Sequence, residues 1–229
     1  MFRFIKRLPK TTALLALVAL SAACSTDQLS SPSQPVDLAM NVARAELPSV
    51  ARQNAVVATA IDTPVPSDLR HSTMAIVYPS NAQTRQFTVK TDESKTFTVG
   101  DHMVFFPKFT ICDPASSSYG AGTWLSSCSK LTGEIEITVV TWTDAQGRPQ
   151  IDFLNALRFY KNSSNQLPAI YLRDPSAALT DFGRIDYCAT AISCVNEATT
   201  DSALITQRDP ATGFLFRIIR HFSGYNVWA

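Results

Sequence analysis

The sequence contains few of the residues from which common catalytic and cofactor sites are built. Its 229 residues include 8 glycines and 3 histidines, and the histidines (His71, His102 and His221) are far apart in the chain. No G-x-S-x-G elbow, H-E-x-x-H zinc pair, glycine-rich phosphate loop or dinucleotide fingerprint occurs. The sequence therefore predicts no cofactor and no metal, and a hydrolase with a dispersed site is an alternative.

The charge balance excludes a strongly basic surface. Lys and Arg number 20 against 19 Asp and Glu, but four of the basic side chains (Arg3, Lys6, Arg7 and Lys10) lie within the first ten residues. The rest of the chain therefore carries 16 basic and 19 acidic side chains, a net charge of −3. Such a surface offers no electrostatic basis for binding nucleic acid or an anionic membrane. With 45% hydrophobic residues, the composition is that of a folded domain.

The N-terminus has the three parts of a bacterial secretory signal. A basic stretch precedes the apolar run Ala13–Leu20, and the small residues Ser21–Ala23 lead into Cys24. The apolar run is shorter than the ~20 residues that a permanent membrane anchor needs. Small residues ending in a cysteine resemble the lipobox of bacterial lipoproteins, which implies that residues 1–23 are removed and Cys24 is lipidated. The alternative is ordinary cleavage after Ala23, which would release a soluble exported protein.

The residue after the cysteine bears on the location. Ser25 stands there instead of an aspartate, and by resemblance to enterobacterial sorting rules this favours the outer membrane. The predicted location is therefore the cell envelope, as an outer-membrane lipoprotein that faces the periplasm or the surface. A soluble periplasmic or secreted protein is the alternative.

The cysteine count is compatible with this location. The chain has 5 cysteines, and assigning Cys24 to the lipid leaves an even set, which in an exported protein is typical of disulfides. The simplest pairing joins neighbours in sequence, Cys112 with Cys128 and Cys188 with Cys194, although other connectivities are open. Zinc is the competing interpretation, and it is disfavoured because no C-x-x-C pair occurs and the histidines are scattered.

Residues 24–71 have the composition of a tether. Ser30–Pro35 and Thr63–Pro66 are polar or proline-rich extended stretches. Between them, Leu38–Ala60 is rich in alanine and valine and predicts one short helix, broken at Pro48. A spacer of this kind would hold a lipid-anchored domain away from the bilayer.

After residue 72 the hydrophobic period is two, which is typical of β-strands. Phe87 and Val89 alternate with polar neighbours, and the segments Asp144–Gly147 and Asp209–Gly213 have the composition of hairpin turns. No segment in this part has a helical period, so we predict an all-β, antiparallel β-sandwich over residues 72–229, in preference to a barrel. The predicted strands are Thr73–Tyr78, Arg85–Lys90, Lys95–Val99, His102–Phe106, Ile135–Trp142, Gln150–Leu154, Leu157–Tyr160, Ala169–Arg173, Arg184–Cys188, Ala203–Arg208, Gly213–Arg220 and Phe222–Trp228.

The segment from Cys112 to Cys128 is too long for a hairpin turn and is rich in serine and glycine. It carries two aromatic residues, Tyr119 and Trp124. A bridged loop with aromatic side chains can form a recognition surface, because Tyr and Trp supply contact area at low entropic cost. The alternative is that Trp124 packs over one end of the sandwich and the disulfide compensates for the length of the loop.

The most specific motif lies near the C-terminus, at Ile219–Val227 (IRHFSGYNV). It resembles the terminal His-Phe-Ser-Gly-Tyr strand of bacterial relatives of the ZU-five domain, a β-sandwich shared by zonula occludens proteins, netrin receptors and ankyrins. Asp152–Phe153 together with Leu157–Phe159 is similar to a strand pair of that family, and Val104–Pro107 is similar to another of its strands. The resemblance extends over residues 85–229 and implies a binding or interaction domain without a cofactor.

The same motif implies a second function. Some animal members of the family cut themselves at His-Phe-Ser, which would make His221 the base and Ser223 the nucleophile. The serine hydroxyl would attack the carbonyl of Phe222 in an N-to-O acyl shift, and hydrolysis would release Ser223–Ala229. The alternative is a terminal strand in which Phe222 and Tyr225 pack, Gly224 makes a bulge and His221 lies at the surface.

These features together predict a non-catalytic interaction or structural module of the cell envelope, whose partner is an envelope protein or glycan. The first alternative is a sandwich that binds a glycan or small molecule through Tyr119, Trp124 and Trp142. The second is the self-cleaving domain. The predicted contact with the membrane is made through the lipid on Cys24, and nucleic acid is not expected as a partner.

Overall fold

The structure is a computed structural model, and it describes residues 56–61, 77–190 and 193–229. The predicted signal peptide, Cys24, Ser25 and the larger part of the predicted tether lie outside these ranges, as do His71 and residues 73–76 of the first predicted strand. Among the residues that the structure describes, no helix has the length and hydrophobicity needed to span a bilayer.

The described ranges form an all-β sandwich of two sheets. The strands are β1 (Val56–Val57), β2 (Thr59–Ile61), β3 (Gln83–Lys90), β4 (Lys95–Val99), β5 (His102–Phe106), β6 (Glu134–Thr143), β7 (Pro149–Phe153), β8 (Ala169–Arg173), β9 (Arg184–Thr190), β10 (Ser193–Val195), β11 (Gln207–Asp209), β12 (Phe214–Ile218) and β13 (Gly224–Trp228). The sheet with the order β1-β4-β5-β8-β12-β11 is called the front sheet. The sheet with the order β10-β9-β13-β7-β6-β3-β2 is called the back sheet.

The pairing within both sheets is antiparallel except where β1 lies parallel to β4. The C-terminal strand β13 is an interior strand of the back sheet, between β7 and β9. Gly224 at its start lies opposite Asp152 on β7 and opposite Cys188 on β9. The His-Phe-Ser-Gly-Tyr motif therefore enters the middle of a sheet, where its backbone is paired on both sides.

Both predicted hairpin turns are present. Asp144–Gly147 joins β6 to β7, and the backbone N–H of Gly147 donates to the Asp144 carbonyl at 2.9 Å. Asp209–Gly213 joins β11 to β12, and the backbone N–H of Gly213 donates to the Asp209 carbonyl at 2.9 Å. Gly147 and Gly213 have φ values of 78° and 73°, a region that glycine enters without the steric penalty of a Cβ.

The core lies between the sheets and is rich in phenylalanine. Phe87 of the back sheet stacks on Phe97 of the front sheet with ring centroids 4.4 Å apart. Phe222 stacks on Phe153 at 4.1 Å and meets the ring of Phe159 edge-on at 4.9 Å. Large aromatic side chains bury much apolar area, and offset or edge contacts add to that gain. Phe222 is therefore a central core residue, as the terminal-strand interpretation requires. The bulge expected at Gly224 is wrong, because the register of β13 continues through Gly224 without a shift on both sides.

The predicted tether is wrong for residues 56–61. Val56–Val57 pairs with β4 of the front sheet and Thr59–Ile61 pairs with β3 of the back sheet. The helix predicted up to Ala60 is likewise wrong for these residues. Strands of two or three residues are too short to show a period in the sequence, so edge pairing alone reveals them.

Most predicted strands agree with the structure to within a few residues, and three do not. Leu157–Tyr160 makes only isolated bridges, Ile111 with Phe159 and Arg158 with His221. Ala203–Arg208 is divided into a 3-10 turn at Ser202–Leu204 and the strand β11. Val77 and Tyr78, the described end of the first predicted strand, lie in a loop. A four-residue helix, Pro175–Ala178, was not predicted, and its N-cap is Asp174, whose carboxylate accepts from two backbone N–H groups.

Candidate functional site

Three residues singled out in separate parts of the sequence lie in one cluster. The ring of Trp124 stacks on the imidazole of His221 with centroids 4.0 Å apart and planes 22° apart. Tyr119 meets Trp124 edge-on at 4.8 Å, and Tyr187 of β9 meets His221 edge-on at 5.0 Å. His221 is 1% exposed, so the expectation that it lies at the surface is wrong. The aromatic cover over its ring is the physical reason.

The bridged loop, defined as Cys112–Cys128, is held down as a cover over this cluster. The disulfide joins its two ends, and the guanidinium of buried Arg158 donates to the backbone carbonyls of Thr123 at 2.8 Å and Ser126 at 2.5 Å. The loop is therefore built to close over His221, as the packing alternative for Trp124 describes. Leu125 and Tyr119 are the large hydrophobic side chains of the loop that are exposed.

A partly buried ion network lies beneath the aromatic cover, and 14% of its carboxylate side chain, Glu197, is exposed. His221 Nε2 is 3.2 Å from Glu197 Oε1, and the other oxygen of Glu197 is in direct contact with the guanidinium of Arg217. Arg217 is 0% exposed and also donates to the carbonyl of Ile185 at 3.0 Å. Its guanidinium carbon lies 5.6 Å from the centre of the Tyr225 ring. A buried charge needs such partners, because without them its desolvation would be strongly unfavourable.

The network keeps Glu197 ionised. Burial acts to raise the pKa of Glu197, but the hydrogen bond to His221 and the positive charge of Arg217 together outweigh it and lower this pKa below its ordinary value. Burial raises the pKa of Tyr119 and that of Tyr225. Both phenols therefore keep their protons and act as hydrogen-bond donors.

One of these phenols contacts the peptide bond between Phe222 and Ser223, and the other contacts the preceding peptide bond. The hydroxyl of Tyr119 donates a hydrogen bond to the Phe222 carbonyl, and the hydroxyl of Tyr225 donates to the His221 carbonyl at 2.6 Å. Ser223 is buried, and its Oγ has no hydrogen-bond partner among the described residues. A donor on a carbonyl oxygen polarises that carbonyl, which is one requirement of acyl transfer.

The other requirement, a base in contact with the nucleophile, is not met in the described part of the chain. The two imidazole nitrogens of His221 face Glu197 and the Phe222 carbonyl, the latter at 3.3 Å. Neither nitrogen is hydrogen-bonded to Ser223 Oγ. The imidazole would have to leave Trp124 and Glu197 before it could accept a proton from Ser223.

The four remaining cysteines form two disulfides in the described ranges, paired as neighbours in sequence. Cys112 is bonded to Cys128, and Cys188 of β9 is bonded to Cys194 of β10, directly across the sheet. This agrees with the simplest predicted pairing. No group of three or more His, Cys, Asp or Glu side chains in these ranges is arranged to hold a metal ion.

A second feature, on the outer face of the back sheet, was only partly visible in the sequence. A partly open depression there is lined by side chains from β6, β7 and β9, with β13 at its floor. Trp142, named among the aromatic candidates, is part of its wall, whereas Gln150 and Asp152 were not singled out. Both alternate with the core residues Ile151 and Phe153, so they look like ordinary solvent-facing polar positions. The signal against that interpretation is their burial, which is 1% exposure for Asp152.

Comparison with known proteins identifies no relative. No family model matches the chain, no curated protein is similar to it, and no solved structure matches it. The ZU-five resemblance therefore stays a prediction from the C-terminal motif.

Proposed function

We propose that the chain is an exported, lipid-anchored envelope protein whose β-sandwich acts as a non-catalytic binding module. The depression on the back sheet is the observation that carries this proposal. It combines an aromatic wall, Trp142, with the polar side chains of Gln150 and Asp152 on a rigid sheet. Concave sites with a mostly apolar lining and a few oriented polar groups are typical of ligand binding.

The burial of the His221 cluster also supports a non-catalytic function. The base and the nucleophile of the proposed self-cleavage, His221 and Ser223, are both buried. His221 lies beneath the bridged loop, where it stacks on Trp124 and is hydrogen-bonded to Glu197. A substrate from solution would have to displace Trp124 to reach them. Tyr119 and Trp124 therefore stabilise the sandwich, and ligand contact is assigned to Trp142.

The disulfides support the proposed location outside the cytoplasm. Disulfides persist in oxidising compartments and are rare where thiols are kept reduced. We expect mass spectrometry of the membrane fraction to find a lipid-modified N-terminal peptide beginning at Cys24. A Cys24→Ala variant should lose the modification and leave the membrane fraction. An unmodified Cys24 in mature protein would contradict the anchoring.

The binding function can be tested with envelope fragments of the source bacterium and the immobilised mature chain. We expect saturable binding by the wild type and its loss in Trp142→Ala. Phe182→Ala is the matched control, because Phe182 is an aromatic residue with 77% exposure that does not line the depression. Equal binding by all three proteins, or no saturable binding by the wild type, would overturn the proposal.

Self-cleavage is the second candidate function, and the hydrogen bond from Tyr119 to the Phe222 carbonyl is the observation that favours it. Cleavage would remove Ser223–Ala229, which includes all of β13. Intact-mass measurement under denaturing conditions separates the candidates, since a cut chain can stay associated in the folded state. A mass loss equal to this peptide, absent in Ser223→Ala, would support self-cleavage. An uncut chain after prolonged incubation would exclude it.

A further inference from the structure

We propose that the depression on the back sheet is a saccharide subsite, which takes one sugar hydroxyl into its floor and holds the sugar ring against Trp142. This inference rests on the binding function proposed above and adds the ligand class and the residues that recognise it. Four observations carry it: the floor, the wall, the polar lining and the size.

Gly224 forms the floor, and the missing side chain creates the space. A Cβ built at this position would lie 3.0 Å from the Cys188 carbonyl oxygen and 3.7 Å from Asp152 Oδ1. The carboxylate of Asp152 therefore borders the volume that any larger residue would fill. Gly224 lies directly opposite both neighbours in the sheet register, so the position of the floor is fixed by backbone pairing on two sides.

The wall is the indole of Trp142, which is in contact with the ring of Tyr78. Tyr78 meets Trp142 edge-on, with ring centroids 5.3 Å apart, and its hydroxyl donates to Asp152 Oδ2 at 2.5 Å. One residue thus holds both the indole and the carboxylate in place. Such preorganisation favours binding, because less conformational freedom is lost when a ligand arrives. An aromatic face beside a carboxylate suits a sugar, which has an apolar C–H face and a polar edge of hydroxyls.

The polar lining combines acceptors with donors. Asp152 supplies a carboxylate, and Gln150 and Thr190 supply an amide and a hydroxyl. The Gln150 Nε2 also donates to Asp144 at 3.4 Å, and the Thr190 hydroxyl also accepts from the backbone N–H of Ser193 at 3.1 Å. Asn226 of β13 lies opposite Gln150 of β7 and is 5% exposed. The Oδ1 of Asn226 has no hydrogen-bond partner among the described residues. Asn226 does not line the depression, so this acceptor lies next to the lining residue Gln150 in the sheet.

This lining discriminates between ligand classes. No Lys or Arg is among the described residues that line the depression, which disfavours phosphate or carboxylate ligands. An ammonium group could use Asp152 but would offer no acceptor to the hydroxyl of Thr190 or to the second N–H of the Gln150 amide, whose Nε2 also donates to Asp144. A hydroxyl donates and accepts at once, so it matches the whole set.

The size of the depression agrees with a ligand that places one hydroxyl in the floor and keeps its ring outside, against Trp142. Its cavity volume of about 20 Å³ holds one water-sized group, and not a whole sugar ring. The ring must therefore lie outside the floor, where Trp142 stands. A neutral saccharide that inserts one hydroxyl and stacks its ring on the indole fits both parts.

The test is a glycan array of neutral saccharides probed with the full mature chain, followed by titration of the best array member. We expect Trp142→Ala to weaken the measured affinity about tenfold or more. Gln150→Met keeps the side-chain length but removes the amide, and we expect it to weaken affinity about three- to tenfold. Phe182→Ala is the control and should bind as the wild type does. Urea midpoints of all variants establish that each one is folded.

The outcomes separate this inference from the binding function beneath it. Saccharide binding that depends on Trp142 and Gln150 but not on Phe182 supports the subsite. If envelope binding requires Trp142 while no array member binds, the saccharide class is overturned and the binding function stands. Saccharide binding that is unchanged by Trp142→Ala and Gln150→Met, in folded variants, overturns the location. Absence of both kinds of binding overturns both proposals.

Discussion

Mild acid should destabilise the sandwich through His102. This side chain is 8% exposed at the start of β5, and its Nδ1 accepts a hydrogen bond of 3.1 Å from the backbone N–H of Arg173. Burial lowers the pKa of His102 from 6.5 to about 4, and the nearby charge of Asp101 offsets only part of that effect. Protonating the ring in the folded state would also place a proton on Nδ1, which could then no longer accept the hydrogen bond from the Arg173 N–H.

The sign and size of the effect follow from the two pKa values of His102. The unfolded chain binds this proton at a higher pH than the folded chain does, so acid favours the unfolded state. The contribution of the neutral ring is fully present above about pH 6.5 and is lost as the pH falls toward 4. At ~1.4 kcal/mol per pH unit the complete loss is about 3 kcal/mol, of which about 2 kcal/mol has occurred at pH 5.

Urea unfolding of the disulfide-intact protein at pH 7.5 and pH 5 measures this loss. His102→Gln is the comparison, because glutamine can accept the Arg173 N–H but does not titrate. The lowered pKa values of Glu197 and Asp144 also destabilise the fold in acid, and they cancel because both proteins contain these carboxyls. We expect the wild type to lose about 2 kcal/mol more than the variant between the two pH values. Equal losses would refute the assignment to His102.

Five further substitutions, in three groups, probe the core and the bridged loop by urea titration at pH 7.5. Phe222→Ala empties the centre of the phenylalanine cluster and should lower the free energy of unfolding by about 3–5 kcal/mol; a loss below ~1 kcal/mol would contradict its central packing. Arg217→Leu leaves the carboxylate of Glu197, whose side chain is only 14% exposed, without the arginine, and should lower the free energy of unfolding by about 3 kcal/mol. Adding Glu197→Leu should recover part of that loss, and a purely additive further loss would argue against the ion pair. Cys112→Ser with Cys128→Ser opens a loop with a sequence separation of 16 and should lose about 3 kcal/mol, whereas an unchanged midpoint would show that the bridge adds nothing.

The sequence predicts the longer strands well because their two faces differ. β3 carries Phe87 and Val89 inward, with polar side chains between them, and this alternation is visible without any knowledge of the partner strand. β1 and β2 are too short to alternate. Leu157–Phe159 alternates like a strand, but its backbone meets its neighbours only at isolated bridges, a matter of register that no local pattern contains.

The candidate sites were predictable as residues and not as arrangements. Tyr119 and Trp124 are recognisable as aromatics within a bridged loop, and His221 as part of a motif, but their stacking depends on how the loop folds back. Glu197 and Arg217 were missed, because charged residues in a β-rich sequence are expected in solvent. Their burial follows from mutual neutralisation across the core, which requires both partners to be placed first.

Local information in the sequence determined the all-β class, the hairpin turns and the favoured disulfide pairing, since alternation, turn composition and cysteine spacing each act over a few residues. Only the tertiary structure decided that the bridged loop covers His221 and that Asp152 is a buried polar group beside Trp142. Whether a side chain is buried depends on which other segments of the chain pack against it in the fold. A residue's chemistry can be read from the chain, but whether water reaches it depends on residues far away in sequence.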